Sequence, residues 1–153
     1  MIDADAGFTL TREIDATPDA IWAAWTEPDE IAAWWHPRGM TTPRESVSVD
    51  LRPGGGYTYT MVDESTGEEY PTGGVYHEVD GPGRLAFTWG TPGADADETP
   101  RVTVVIESLG ELTRLTFRLQ GVAGFSGDGS YYDGWESALD VLVGHLGQQE
   151  VLG

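Results

Sequence analysis

The sequence contains no cysteine and no lysine. Without thiols it has no disulfide scaffold, no thiolate zinc site and no cysteine nucleophile. All eight basic residues are arginine, set against 26 acidic ones, for a formal net charge of -18 at pH 7. A surface this acidic repels phosphate backbones and anionic headgroups, which argues against nucleic-acid and membrane-surface partners. A salt-rich cytosol and a high-GC genome would each produce this composition, the second by replacing lysine with arginine. Uninterrupted apolar runs are only a few residues long, far short of the roughly 20 that a membrane-spanning helix needs. No secretory leader is visible either, so the expected compartment is the cytoplasm.

Catalytic signatures are also scarce. No G-x-S-x-G occurs, and Gly54-Gly55-Gly56 lacks the Lys-Ser/Thr of a phosphate loop. Lying between two strand patterns, those glycines predict a hairpin turn. The three histidines, His36, His77 and His145, are isolated and show no H-E-x-x-H spacing. Neither a metal site nor a cofactor is expected.

What is present is strong periodicity. From Ser130 to Leu146, Tyr131, Trp135, Ala138, Leu139, Leu142, Val143 and Leu146 recur three and four residues apart, with Asp133, Glu136, Ser137 and Asp140 opposite. That spacing predicts one long amphipathic helix, capped at Ser130 and ended by Gly147. Burying its stripe is worth on the order of 10–20 kcal/mol gross, so the helix must rest on an apolar surface.

Most of the preceding chain has period two. Phe8, Leu10 and Ile14 alternate with Thr9, Thr11 and Glu13; Thr17-Pro18 then starts a short helix through Ile21, Trp22 and Trp25, and Asp29 to Trp35 forms a second. Val47 to Leu51, Tyr57 to Met61, Tyr70 to Asp80, Leu85 to Trp89, Val102 to Ile106 and Leu115 to Leu119 read as six further strands joined by tight turns. The expected architecture is α+β, in the order β-α-α-β6-α. An antiparallel sheet of six to seven strands wraps around the last helix, and two short helices close one end. One helix covers that many strands only if the sheet is strongly curved. At 153 residues the whole chain forms one domain, ordered over about 8–147.

Aromatic residues carry the site prediction. Trp34, Trp35, Tyr57, Tyr59, Met61, Phe87, Trp89, Phe117, Tyr132 and Trp135 lie on elements that should converge between sheet and helix. Flat side chains with polar tips suit a pocket for a small apolar or aromatic molecule, with Tyr59, Tyr70 or His77 orienting it. The connection from Gly121 to Gly129 would act as its gate. Six tryptophans would equally fill a core. Two registers are open for the strand containing His77: Val75, His77 and Val79 face inward, or Tyr76 and Glu78 do. The first offers an imidazole as acid or base, the second a phenol and carboxylate; a bulge among the glycines would shift the parity. Arg12, on the apolar side of the first strand, is either a surface charge or an inward partner of Glu78 or of an anionic ligand.

Five segments together carry a family resemblance: ATPDAIWAAWTEPDEIAAWW at 16–35, DLRPGG at 50–55, GVYHEVDGPGRL at 74–85, TRLT at 113–116 and DGWESALDVL at 133–142. In order and spacing they resemble the prokaryotic family named after the activator of the heat-shock protein 90 ATPase. That family belongs to the START-like, or birch-pollen-allergen-like, superfamily. The resemblance spans nearly the whole chain and implies a helix-grip fold with a cavity between the curved sheet and the long helix. It does not imply one activity, because the superfamily includes apolar-ligand carriers, polyketide cyclases, natural-product-sequestering proteins and chaperone activators. One departure stands out: His36-Pro37 follows Trp34-Trp35 where the family usually has glycine. Three functions follow as expectations. Binding of a small apolar or aromatic ligand comes first. A cyclase or hydrolase-like enzyme using His77 or the Tyr76/Glu78 pair is the second, and a chaperone-contacting module with a protein partner the third.

Overall fold

The computed structural model describes residues 7–36, 39–90, 92–93, 99–121 and 131–152. Strand β1 (Gly7–Ile14) buries Leu10 and Ile14 and exposes Thr9, Thr11 and Glu13, as its alternation predicts. The chain then turns into α1 (Pro18–Thr26), where the Thr17 hydroxyl accepts the Ala20 N–H at 3.2 Å and Pro18 takes the first helical turn. Proline is suited to that position because its missing N–H has no partner there. Pro28 opens α2 (Pro28–Trp34) in the same way. Having no N–H of its own, it cannot extend the hydrogen bonding of α1.

Two short strands follow, β2 (Met40–Thr41) and β3 (Ser48–Val49), separated by a 3-10 turn at Arg44–Ser46. Then come β4 (Gly56–Asp63), β5 (Glu69–Asp80), β6 (Arg84–Thr88), β7 (Arg101–Ser108), β8 (Thr113–Gln120) and the terminal helix α3 (Tyr131–Leu152). All pairings are antiparallel, in the order β1-β8-β7-β6-β5-β4-β2, with β3 also on β4. The result is a curved open sheet holding α3, which is the helix-grip arrangement.

Eight strands replace the expected six to seven. The difference arises between Met40 and Leu51, where the chain meets β4 in two places instead of forming one strand. Val47 is buried, but Leu51 is 38% exposed. Between β2 and β3 the Ser46 hydroxyl takes over the role of a strand neighbour: it accepts the Thr60 N–H at 3.1 Å and donates to the Pro43 carbonyl at 2.6 Å.

Helix α3 buries Trp135, Ala138, Leu139, Leu142 and Leu146, the stripe expected from the sequence. It does not end at Gly147 but continues to Leu152. An interior glycine costs a helix about 1 kcal/mol, which weakens it without stopping it. Ser130 and the connection 122–129 lie outside the described residues. None of the described helices is long and apolar enough to cross a membrane.

Candidate functional site

Helix α1 carries Trp25 into the centre of the molecule. Its ring centroid lies 4.7 Å from Trp34, 5.5 Å from Trp35, 6.4 Å from Phe87, 6.1 Å from Phe117 and 6.3 Å from Trp135. The cluster thus joins both short helices, the sheet and α3. Further rings extend it: Trp35 stacks on Tyr57 at 5.5 Å, Tyr57 meets Tyr76 at 5.5 Å, and Phe117 meets Trp135 at 4.4 Å.

Of the predicted site residues, Trp34, Trp35, Tyr57, Tyr59, Phe87, Phe117 and Trp135 all enter this cluster and are buried. Trp89 is half-buried, with its ring 5.3 Å from Trp135. Met61 is partly buried against the core. Tyr70 does not join them. It is 41% exposed and donates its hydroxyl to Glu68 at 2.9 Å. Alternation assigns Tyr70 to the same face as Met61, but here β5 extends beyond the rest of the core. The side chain of Tyr132 lies outside the described residues. Trp25 was not among the predicted site residues. Its signal was the Trp22/Trp25 spacing on a short helix, and the two diverge: Trp22 packs beside Gly81, where an added methyl would stand 2.4 Å from the indole.

The strand carrying His77 adopts neither expected register. Tyr76 pairs with Phe87 and Glu78 with Ala86, so the ladder slips by one residue and His77 occupies a bulge. Tyr76 and Val79 face the core, whereas Glu78 is exposed and ion-paired with Arg84 at 2.8 Å. Tyr76 and Glu78 therefore do not form an acid-base pair on one face. His77 is half-buried, outside the inward alternation. Arg12 reaches Asp140 of α3 at 3.6 Å, not Glu78.

Hydrogen bonding divides the cluster in two. The Tyr57 hydroxyl donates to the Thr88 carbonyl at 2.7 Å, and the Trp34 indole donates to the Ala24 carbonyl at 2.6 Å. Trp89 donates to the Tyr59 hydroxyl oxygen at 3.0 Å, while Thr72, also hydrogen-bonded to Tyr59, donates to the Tyr70 carbonyl at 3.2 Å. These groups are engaged within the fold. By contrast, the indole N–H groups of Trp25, Trp35 and Trp135 and the hydroxyl of Tyr76 are buried with no hydrogen-bond partner among the described residues. Burial pushes the phenols of Tyr57, Tyr59 and Tyr76 upward, so all three keep their protons.

The described residues contain no group of three or more histidine, aspartate or glutamate side chains placed to hold a metal ion. A separate depression of about 450 Å³ opens beside β3, β4 and β5, lined by Ser48, Gly56, Thr58, Gly74 and Val75 among others. No titratable group beyond Tyr57 lines it, and the Tyr57 hydroxyl is engaged.

In comparison with known proteins, residues 15–147 match the family model described as Activator of Hsp90 ATPase homolog 1-like protein. No curated protein matches the chain. Among solved structures, protein NE0264 from Nitrosomonas europaea is similar over 98% of this chain and 99% of its own, with a TM-score of 0.82 and 24% identity. The AHSA1 (SPO3351) protein from Silicibacter pomeroyi is similar over 94% and 99%, with a TM-score of 0.79 and 26% identity. PFC0360w, an HSP90 activator from Plasmodium falciparum, is similar over 82% and 79%, with a TM-score of 0.58 and 20% identity, a likeness of fold alone.

Proposed function

This chain belongs to the activator of Hsp90 ATPase homolog 1-like family, and from that premise we propose that it binds a small aromatic molecule between its curved sheet and its C-terminal helix. One observation carries the reading: four buried donors, on Trp25, Trp35, Tyr76 and Trp135, have no acceptor among the described residues. Folded proteins pair the large majority of such side-chain groups, and each one left unpaired costs about 1–3 kcal/mol. A core selected only for stability would carry phenylalanine or leucine at these positions. An acceptor arriving from outside would relieve that cost. Trp34, Phe87 and Phe117 offer flat walls to such a guest, and its entry requires the stacked Trp25 and Trp135 rings, 6.3 Å apart, to separate. A small molecule also suits a chain whose net charge of -18 repels nucleic acid and anionic lipid. The absence of cysteine fits a place in the cytoplasm.

The test is to compare native and denaturing mass spectra of the purified protein, and to titrate it with naphthalene while following the indole N–H signals by NMR. A mass lost on denaturation, or movement of the Trp25, Trp35 and Trp135 signals, supports the reading. A bare mass together with indole signals that stay still overturns it.

The family also suggests contact with a chaperone. Leu109 and Leu112, exposed at the β7–β8 turn, would serve that role. Saturable binding to a heat-shock protein 90 chaperone, lost on replacing both leucines by serine, would establish it.

A further inference from the structure

Resting on that reading, we propose that the site selects neutral aromatic carbonyl compounds, quinones and aryl ketones, over their reduced, hydroxylated counterparts. The chemistry of the unpaired groups sets this preference. An indole N–H can only donate. Trp25, Trp35 and Trp135 are 0%, 1% and 4% exposed, and their ring centroids form a triangle with sides of 5.5, 6.2 and 6.3 Å. Three rings that each carry an unpaired donor thus meet in one patch of the core, among further rings on which a flat molecule can stack. Tyr76, adjoining through Tyr57 and Phe87, adds a hydroxyl that stays protonated because burial disfavours its anion.

The neighbouring carbonyls and the Tyr59 oxygen already take one donor each, while the Tyr76 oxygen, itself unpaired, is an acceptor as well as a donor. The Thr88 carbonyl takes the Tyr57 hydroxyl, the Ala24 carbonyl takes the Trp34 indole, and the Tyr59 oxygen takes Trp89. A ligand hydroxyl entering this patch accepts from an indole no better than a carbonyl does, and away from the Tyr76 oxygen its own O–H loses the partner it had in water. A carbonyl oxygen would satisfy one or two of them. Net charge on the ligand is disfavoured on different grounds: among the described residues the buried polar side chains are threonines, with no arginine to balance an anion, and an unbalanced buried charge costs several kcal/mol. The ligand class is therefore flat, neutral and rich in acceptors.

The full chain would be titrated with three probes of nearly equal shape: 1,4-naphthoquinone, 1,4-dihydroxynaphthalene kept reduced under argon, and naphthalene. A quinone normally threatens such an assay by alkylating thiols and lysines, but this sequence contains neither. The expected result is that the quinone binds about tenfold or more tightly than either of the others, the difference of one buried donor paired or left unpaired. Downfield movement of the indole N–H signals of Trp25, Trp35 or Trp135 should accompany it. In Trp135→Phe, which keeps a ring and removes a donor, the ratio of quinone to naphthalene affinity should fall. The wild-type comparison stands even if that variant does not fold. Equal binding of all three probes, or tighter binding of the diol, overturns this inference and leaves aromatic-ligand binding intact. No binding of any probe overturns both.

Discussion

The indole N–H of Trp34 donates to the backbone carbonyl of Ala24 at 2.6 Å. Ala24 lies in the last turn of α1, where carbonyls lack partners within the helix. The residue whose N–H would ordinarily serve it is Pro28, which has none. A side chain from the next helix thus replaces a missing backbone donor and fixes the angle between α1 and α2. Trp34→Phe should lose at least about 1–3 kcal/mol, the cost of leaving that carbonyl unpaired. Urea unfolding followed by circular dichroism measures it, and a loss below about 0.5 kcal/mol would show that the bond contributes little.

Tyr59 occupies the middle of a buried relay, accepting from Trp89 and hydrogen-bonded to Thr72. Tyr59→Phe leaves the Trp89 indole without that acceptor, and a loss of about 1–2 kcal/mol is expected in the same assay. Unchanged stability would mean that the indole finds solvent instead.

His36 gives the fold a pH dependence of definite sign. Thr42 donates its hydroxyl to the Trp35 carbonyl at 3.0 Å, so the His36 Nδ1, 3.1 Å from the same oxygen, must be the donor there. Burial lowers the His36 pKa below 6.5, with Glu64 partly opposing. As pH falls through about 6.5, the unfolded chain takes up a proton that the folded chain resists, so stability declines toward the lower folded value. His36→Asn, which keeps an N–H donor without the titration, should lose less stability than wild type between about pH 8 and pH 5. Identical losses would assign the dependence to other groups.

Salt should stabilise the protein. With a net charge of -18, repulsion across the surface opposes compaction, and raising sodium chloride to about 1 M shortens the screening length to about 3 Å. The melting temperature is expected to rise from low to high salt. A fall would show that ion pairs such as Arg12–Asp140 outweigh the repulsion.

Two glycines should respond oppositely to alanine. At Gly74 an added methyl would stand 1.9 Å from the Thr88 carbonyl oxygen, a backbone atom that cannot turn aside. Gly74→Ala should cost about 3 kcal/mol or more. Nothing lies within 4 Å of the corresponding position at Gly144, on the exposed side of α3. Gly144→Ala should stabilise by about 0.5–1 kcal/mol. Thermal melts of the two variants check both signs.

The architecture was legible wherever burial imposes a period. Leu115, Phe117 and Leu119 alternate in the sequence and are all fully buried in β8; the stripe from Trp135 to Leu146 predicts the face that α3 presents. Periodicity does not record irregularity. The bulge at His77 adds one residue to β5 and reverses the parity beyond it, which no count of alternating residues could reveal. Nor does alternation tell how far a strand extends past the core, which is why the pattern alone points Tyr70 inward. The aromatic cluster was legible as a set of residues. Its division into engaged and unpaired donors was not, because partners such as Ala24 for Trp34 depend on where two helices meet.

The pairing of β1 with β8 joins residues 7–14 to residues 113–120, and Thr113 donates its hydroxyl to the Ala16 carbonyl across 97 positions of sequence. During synthesis the first strand to leave the ribosome must wait for the last. At roughly 5–20 residues per second, Leu10 and Ile14 spend about 5–20 s without their sheet partner. Closing so long a loop also carries an entropic cost that the rest of the sheet must first offset. The β4–β8 meander can form in chain order, so β1 is the strand most exposed to chaperones and to proteolysis while the protein is being made.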